Sequence, residues 1–530
     1  MGPLLFLFLQ ASAYQTGVQA YSEHRYTEAI PWFEKAAAGG SQALVAEFML
    51  GNACLQAHQD EKAVRAFAAL FQVAPDSAAA HLLTAGMMLR AKLPSGAAAE
   101  ASRALEIDPH IPQAHYILGE AVLSQGDDVK ALAEFQKEVA ANPSFSMAYY
   151  RLGDAYENRG AWDDAISALE RSIWLNPNHS GPYALIGKAY LKRGDLDDAE
   201  GALRHALQMD PQDQSIRQLL DQTQPLLGAA TPIPRPSSSS SQLPAPSSQP
   251  AAPGSAYIRG LASYRHRDYA AAEKALKEAL PSISPNSLQY SETLQMIGRS
   301  EYLAGHVPEA IPYLEKARAA GARNNELFFV LGNSYLQAHQ VPKGRAAFAD
   351  LYGVPAESGA ARMATAHFLI RLELEDEAQA ELEAALAREP KLPQAHYMLG
   401  EIAIYRAQIE RAVNELNREI ALNPGFAMAY YRLGDAYTRQ EDWEHAVPPL
   451  QRAVWLDPTY SGPYILLGKT YFKQGDLVEA ERMLRRALQM DPRNASAHYL
   501  LGRTLIQSGH AEEGKKLLRR WEELRQESGQ

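Results

Sequence analysis

A motif of about 34 residues recurs along the chain and limits the folds open to it. In its clearest copy, Tyr149, Leu152 and Tyr156 follow at i, i+3 and i+7, which places them on one face of a helix. Gly160 stands where that helix would end, and a second apolar stripe stops before Pro177. Each copy is therefore predicted to be a helical hairpin. A single hairpin cannot bury its apolar face, so neighbouring hairpins must stack.

The repeated pattern reads Tyr/Trp-x-x-Leu-Gly-x-x-Tyr, then Ala, Phe or Leu, and Pro, and it resembles the tetratricopeptide repeat (TPR) family. The resemblance implies an all-α fold, an α-solenoid of about fourteen helix-turn-helix units in two right-handed superhelical arrays. The predicted units begin near Ala11, Leu44, Ala78, Pro112, Ser146, Ser180, Pro253, Ser291, Asn325, Gly359, Pro393, Ala427, Ser461 and Ala495.

A second, longer repeat is superimposed on the first. Residues 112–213 match residues 393–494 at a constant offset of 281, and the offset extends back to Phe48, which matches Phe329. Trp174 returns as Trp455 under the same offset. The chain is therefore predicted to be a duplicated array.

Composition separates the two arrays. Residues 229–254 are rich in Pro, Ser and Ala and almost uncharged, which predicts a disordered linker. Residues 14–228 then form array 1 and residues 255–530 form array 2. The amphipathic stretch from Ala511 to Arg525 is predicted to be a capping helix of array 2.

The N-terminal segment 1–13 has two interpretations. An apolar run from Pro3 to Leu9 followed by Ala11-Ser12-Ala13 resembles a signal peptide, which favours an exported or periplasmic protein. However, no Lys or Arg precedes the run, and Ser12-Ala13-Tyr14 recurs at Ser255-Ala256-Tyr257, so the alternative is the start of the first helix in a cytoplasmic protein. No other stretch approaches the length of a membrane span.

Motifs for chemistry are weak. The net charge of −11 argues against nucleic-acid binding, and the single cysteine, Cys54, excludes a Cys-based zinc site. The histidines form no H-E-x-x-H motif. Gly468-Lys469-Thr470 is similar to the end of a phosphate-binding loop, but Pro463 stands where a glycine is required. We therefore predict a non-enzymatic protein with no catalytic residue, cofactor or metal site.

The resemblance implies that the first helices of successive units line a concave groove. Residues predicted to face it form a tyrosine pair, an acidic pair and a lysine pair in each array. Tyrosines are frequent anchors in binding surfaces. In array 1 these are Tyr116, Glu120, Tyr150, Asp154, Lys188 and Lys192. In array 2 they are Tyr397, Glu401, Tyr431, Asp435, Lys469 and Lys473.

A groove of this type predicts an interaction scaffold or adaptor that binds segments of other proteins. The alternative is a regulatory or substrate-recruiting subunit of a TPR-associated enzyme, such as a glycosyltransferase, with the catalyst on another chain. The asparagine of the family's carboxylate clamp is present at Asn52 and Asn333. Phe48 and Phe329 replace the clamp's lysine one turn earlier, which argues against binding of that class of C-terminal tail.

Overall fold

The computed structural model describes residues 12–40, 42–229 and 253–527. Within these ranges the chain forms 29 α-helices and one 3-10 turn, Leu280–Ser282, and has no strand. The predicted N-terminal segment and linker lie almost wholly outside the described residues. No helix in the described ranges is long and apolar enough to cross a bilayer.

The helices of array 1 are α1 Ala13–Ser22, α2 Tyr26–Ala37, α3 Ala43–Gln56, α4 Asp60–Phe71, α5 Ala78–Arg90, α6 Pro94–Ile107, α7 Ala114–Leu123, α8 Asp128–Ala141, α9 Ser146–Asn158, α10 Trp162–Leu175, α11 Ser180–Arg193, α12 Leu196–Met209 and α13 Gln214–Ala229.

The helices of array 2 are α14 Pro253–Arg265, α15 Tyr269–Ala279, α16 Leu288–Leu303, α17 Val307–Ala319, α18 Asn325–Gln337, α19 Val341–Tyr352, α20 Gly359–Arg371, α21 Glu375–Arg388, α22 Ala395–Tyr405, α23 Ile409–Leu422, α24 Ala427–Arg439, α25 Trp443–Leu456, α26 Ser461–Gln474, α27 Leu477–Met490, α28 Ala495–Gln507 and α29 Ala511–Glu527.

A left-handed residue in the turn between the two helices of each hairpin marks the repeat register. Fourteen hairpins have such a turn, which confirms the predicted number of units. The turn residues are His24, His58, Lys92, Gly126, Gly160, Gly194, Arg267, Gly305, His339, Glu373, Ala407, Glu441, Gly475 and Gly509. They recur every 34 residues within each array, except where the turn Leu280–Ser282 lengthens one unit. His58 and His339 are thus turn residues.

Close packing within most hairpins depends on a glycine in the first helix. A Cβ atom placed on Gly153 would lie 2.6 Å from Cγ of Leu169 on the second helix, and one on Gly434 would overlap Leu450 in the same way. Leu169 and Leu450 are fully buried. The two helices can therefore approach this closely only because the glycine has no side chain.

A buried glutamate fixes the start of α22. This residue is Glu419. Its Oε1 accepts a hydrogen bond from the backbone N–H of Gln394 at 2.9 Å, and its Oε2 accepts one from the backbone N–H of Tyr397 at 3.4 Å. Burial raises the pKa of Glu419 to about 7. Glu138 on α8 accepts the corresponding hydrogen bonds from the backbone of Gln113 and Tyr116 at the start of α7. The carboxylates satisfy backbone donors that have no partner within the helix.

The helices group into two compact units that do not coincide with the arrays. Compact unit 1 comprises Met1–Ala141 and Pro393–Gln530, hence α1–α8 with α22–α29. Compact unit 2 comprises Asn142–Leu392, hence α9–α21. Each unit contains helices from both arrays, so its core is built partly from residues that are far apart in the sequence.

Candidate protein-binding site

The predicted groove residues all lie on first helices of the hairpins. Those of array 2 lie on three successive first helices of compact unit 1, namely α22 (Tyr397, Glu401), α24 (Tyr431, Asp435) and α26 (Lys469, Lys473). We call these six residues the array 2 strip. Those of array 1 lie on α7 (Tyr116, Glu120) in compact unit 1, and on α9 (Tyr150, Asp154) and α11 (Lys188, Lys192) in compact unit 2.

Arginines neutralise the acidic part of the array 2 strip. Nη2 of Arg432 lies 2.8 Å from Oε1 of Glu401 and joins α24 to α22. Oδ1 of Asp435, which is buried, accepts a hydrogen bond from Nε of Arg439 at 3.1 Å. Although burial opposes its charge, the carboxylate of Glu401 helps to raise the pKa of Arg432. The glutamate and aspartate therefore act inside the fold as ion-pair partners.

The tyrosines of the array 2 strip are half-buried and packed. The ring of Tyr431 meets that of Tyr460 edge-on, with centroids 5.2 Å apart, and the guanidinium of Arg432 lies 5.3 Å from its centroid. Tyr397 meets Phe426 edge-on at 5.0 Å. Both tyrosines therefore contribute to packing as well as to the surface.

The lysines form the cationic end of the strip. The Nζ atoms of Lys469 and Lys473 lie 5.9 and 5.8 Å from the ring of Trp443, at the start of α25. Lys473 is exposed and Lys469 half-buried. The strip thus presents two ammonium groups over an aromatic face. Lys469 lies inside helix α26, whereas a phosphate-binding loop requires a loop before the helix.

The matching residues in compact unit 2 are held by neighbouring side chains. Tyr150 meets His179 edge-on at 5.1 Å, and Oδ2 of Asp154 lies 3.5 Å from Nη1 of Arg151. Nζ of Lys188 donates to the buried carboxylate of Glu157 at 2.9 Å. Lys192 is exposed. Lys188 therefore neutralises a buried charge.

The first helices α3 and α5 form a site that the sequence did not predict. Phe48 on α3 stacks on Trp455 at the end of α25, with centroids 4.8 Å apart and an interplanar angle of 8°. Nη1 of Arg90, the last residue of α5, donates to the carbonyl of Leu456 at 3.0 Å. A cavity of about 430 Å³ borders these side chains. The end of a helix is thus held by a ring and by a cation placed at its negative pole.

Two further contacts complete this site, which we call clasp 1. Phe71 at the end of α4 meets Tyr430 of α24 edge-on at 6.0 Å. Nε of the buried Arg452 donates to the carbonyl of Leu70 at 2.8 Å. Phe71 and Tyr430 belong to one apolar cluster, against which Leu44 also packs. Clasp 1 is therefore mainly apolar.

Compact unit 2 contains the corresponding site, clasp 2. Phe329 on α18 stacks on Trp174 at the end of α10, with centroids 4.4 Å apart and an interplanar angle of 8°. Nη1 of Arg371, the last residue of α20, donates to the carbonyl of Trp174 at 2.5 Å. Tyr352 of α19 meets Tyr149 of α9 at 6.2 Å.

Clasp 2 is more polar than clasp 1. Nη2 of Arg171 donates to Oδ1 of Asn325 at 3.1 Å, and Nδ2 of Asn325 donates to Oγ of Ser167 at 2.7 Å. Burial and the nearby carboxylate of Glu326 raise the pKa of Glu170 to about 7. The positions of Asn325 and Ser167 correspond to Leu44 and Pro448 in clasp 1, at the offset of 281.

One sequence signal could have indicated the clasps. At the end of the second helix of a unit, Trp174 occupies a position held by Glu106, Ala140 and Gln208 in other units of array 1. An aromatic ring at a position that is otherwise small or polar indicates a contact outside the hairpin. The clamp asparagines Asn52 and Asn333 instead bond the carbonyls of Phe48 and Phe329 at 2.8 and 2.9 Å.

Other chemically active residues are committed to the fold. Cys54 is fully buried, and burial raises the pKa of its thiol to about 11. Glu273, Glu301 and His306 come together closely enough to bind a metal ion. However, Nζ of Lys277 lies 2.7 Å from Glu273 and 2.5 Å from Glu301, so an ammonium already balances both carboxylates.

Stacked helical hairpins with a left-handed turn residue about every 34 positions define a helical-repeat protein. Sequence profiles described as "Tetratricopeptide repeat" match residues 48–110, 97–144, 130–180, 158–222, 296–361, 397–461 and 471–530. Because these matches together cover more than half of the chain, it belongs to the tetratricopeptide repeat family. Members of this family generally mediate protein–protein interactions.

Solved structures of other TPR proteins resemble parts or most of the chain. The structure of MamA from residue 41 to its end, from Desulfovibrio magneticus RS-1, is 22% identical to this chain. The match covers 32% of this chain and 96% of that chain, with a TM-score of 0.30. YrrB, a TPR protein with an unusual peptide-binding site, is 20% identical, and the match covers 34% of this chain and 93% of YrrB, with a TM-score of 0.30.

The APC/C hetero-tetramer Cut9–Hcn1 covers more of the chain. It is 14% identical over 94% of this chain and 98% of that chain, with a TM-score of 0.30. No curated protein sequence matches the chain significantly.

Proposed function

We propose that this protein is a non-enzymatic scaffold or adaptor that binds segments of other proteins along its first helices. The observation that carries the proposal is clasp 1, in which side chains of α3 and α5 hold the end of α25. A surface of first helices in this chain thus already accommodates a helical segment. Aromatic stacking and an arginine at the carbonyl end of the helix supply the contacts.

The array 2 strip is the surface that we assign to an external partner. Its carboxylates are neutralised by Arg432 and Arg439, and its exposed Lys473 lies beside Lys469 over Trp443. The charge that remains for a partner is therefore positive at the α26 end. A segment with an apolar anchor for the tyrosines and acidic residues toward α26 would complement it.

Peptide selection with the full-length chain tests this function. Peptides selected from a displayed library should be enriched in acidic residues near an aromatic or aliphatic anchor. The double substitution Lys469→Glu and Lys473→Glu should weaken binding of a selected peptide by roughly tenfold or more, since it replaces attraction by repulsion. Calorimetry or fluorescence anisotropy measures the dissociation constant.

A matched control carries the same charge change elsewhere. Lys515→Glu and Lys516→Glu alter two exposed lysines of α29, away from the strip. They should leave the dissociation constant nearly unchanged. Equal weakening by both double variants would mean that net charge alone governs binding, and unchanged binding in the strip variant would place the partner elsewhere.

A further inference from the structure

The aromatic contacts of the two clasps correspond, although their polar contacts differ. Under the offset of 281, Phe48 against Trp455 in clasp 1 becomes Phe329 against Trp174 in clasp 2, with the roles of the arrays exchanged. Each array therefore carries both a socket, on its first helices, and a plug, the tryptophan that enters the other array's socket. Reciprocal contacts of this kind characterise the symmetric interface of a two-copy assembly.

We propose that a second copy of this chain is a binding partner, and that array 1 of one chain joins array 2 of the other through both clasps. Every stacking and hydrogen-bonding contact of the clasps joins an array 1 residue to an array 2 residue. None of these contacts requires the two arrays to belong to one chain. Exchanging identical elements between copies creates a dimer without a new interface.

Polar contacts select the unlike array as the partner. In clasp 2 the amide of Asn325 donates to the hydroxyl of Ser167 at 2.7 Å. If two copies of array 2 paired instead, Asn325 would meet Pro448, the residue corresponding to Ser167, which has no hydroxyl. The amide would lose its hydroxyl partner in a part-buried contact, which is costly. Array 1 of a second copy supplies Ser167 to this contact. An exchange of arrays between two chains therefore still pairs array 1 with array 2.

Concentration decides between pairing within one chain and pairing between two. The covalent connection of the arrays gives each a high effective concentration near the other, which favours the monomer in dilute solution. Exchange requires both clasps to open, and it therefore proceeds when the full-length chain is refolded at high concentration. Once formed, the exchanged dimer contains the same clasps as two monomers.

Two complementary double variants test the proposal in the full-length chain. The first, Phe48→Ala with Trp174→Ala, removes the rings of array 1, and the second, Phe329→Ala with Trp455→Ala, removes those of array 2. Each variant alone has one ring missing from each clasp. When the two are refolded together, the intact array 2 of the first and the intact array 1 of the second can form two complete clasps between chains.

Native mass spectrometry with one variant isotopically labelled measures the mixed dimer. We expect the mixed dimer to exceed the homodimers of either variant by roughly tenfold, since a complete ring pair is restored in two clasps. The matched control mixes Phe48→Ala/Trp455→Ala with Phe329→Ala/Trp174→Ala. These chains contain the same four substitutions, but exchange between them restores no ring pair.

An equal yield of mixed dimer in the complementary and control mixtures would overturn the proposal. Circular dichroism verifies that each variant is helical. If a variant does not fold, the proposal is tested instead by refolding labelled and unlabelled wild-type chains together at high concentration. A mixed wild-type dimer that increases with concentration supports the proposal, and its complete absence across the concentration range refutes it.

Discussion

The ring of Phe48 lies almost parallel to that of Trp455, although 407 positions separate the two residues in the sequence. Their centroids are 4.8 Å apart, and the carbonyl of the next residue, Leu456, accepts a hydrogen bond from Arg90. This relationship joins the second unit of array 1 to the sixth unit of array 2. It makes the core of compact unit 1 depend on both halves of the chain.

Removing the plug of clasp 1 should destabilise the protein. Trp455→Ala deletes the stacked ring and part of its buried surface, and we expect a loss of about 2 kcal/mol in the free energy of unfolding. Urea unfolding followed by circular dichroism measures it. Trp32→Ala removes a tryptophan with 40% exposure and should cost no more than about 0.5 kcal/mol. Equal losses in both variants would contradict the role of the stack.

Filling a hairpin glycine should overpack the two helices. In Gly153→Leu the new side chain would enter the space of Leu169, whose Cγ lies 2.6 Å from an added Cβ, so we expect a loss of about 1–3 kcal/mol. Thermal melting measures it. Gly425→Ala provides the control, because nothing lies within 4 Å of a Cβ at that position. A melting temperature unchanged in Gly153→Leu would contradict the packing described above.

Acid should weaken clasp 2 through His367. Burial, and secondarily the charge of Arg371, lowers the pKa of His367 to about 4, and its ring bonds the backbone of Leu175. In the unfolded chain this histidine titrates near 6.5, so between about pH 6.5 and 4 the unfolded state binds a proton that the folded state excludes. The stabilising effect of the neutral ring is therefore complete above pH 6.5 and is lost as the pH falls.

His367→Phe isolates this effect. Gly86 occupies the corresponding position of array 1, so clasp 1 has no equivalent group. We expect wild type to lose up to about 3 kcal/mol more than the variant between pH 7 and pH 4. Urea unfolding at several pH values gives the two curves. Parallel curves would show that folding does not shift the pKa of His367.

Cys54 should be inert in the native protein. Its side chain is fully buried and burial raises its pKa to about 11, so the reactive thiolate is scarce and inaccessible. Ellman's reagent should react with it only at the rate of unfolding, and rapidly in denaturant. Rapid labelling without denaturant would show that α3 opens locally.

Local periodicity was sufficient to predict the hairpins. The Leu-Gly spacing located first helices such as α9, in which the glycine at position 153 packs against Leu169. These features depend on residues within one repeat. Sequence spacing within a helix fixes which side chains share a face, and the repeat length fixes which helices are neighbours.

Contacts between arrays could not be read in the same way. Trp455 and Phe48 each fit their own hairpin, and nothing in either local pattern specifies the other. The array 2 strip shows a related difficulty. Tyr431 was predicted to face a groove, and its half-buried ring also packs against the core, because helix faces in a stacked solenoid are shared between neighbours.

The chemical difference between the clasps has a physical consequence. In a dimer of identical arrays, every substitution would appear in both interfaces at once, whereas in a tandem chain Leu44 and Asn325 can differ although they occupy corresponding positions. Apolar contacts such as those around Leu44 weaken on cooling more than the hydrogen bonds of Asn325 with Arg171 and Ser167. Cooling should therefore weaken clasp 1 more than clasp 2.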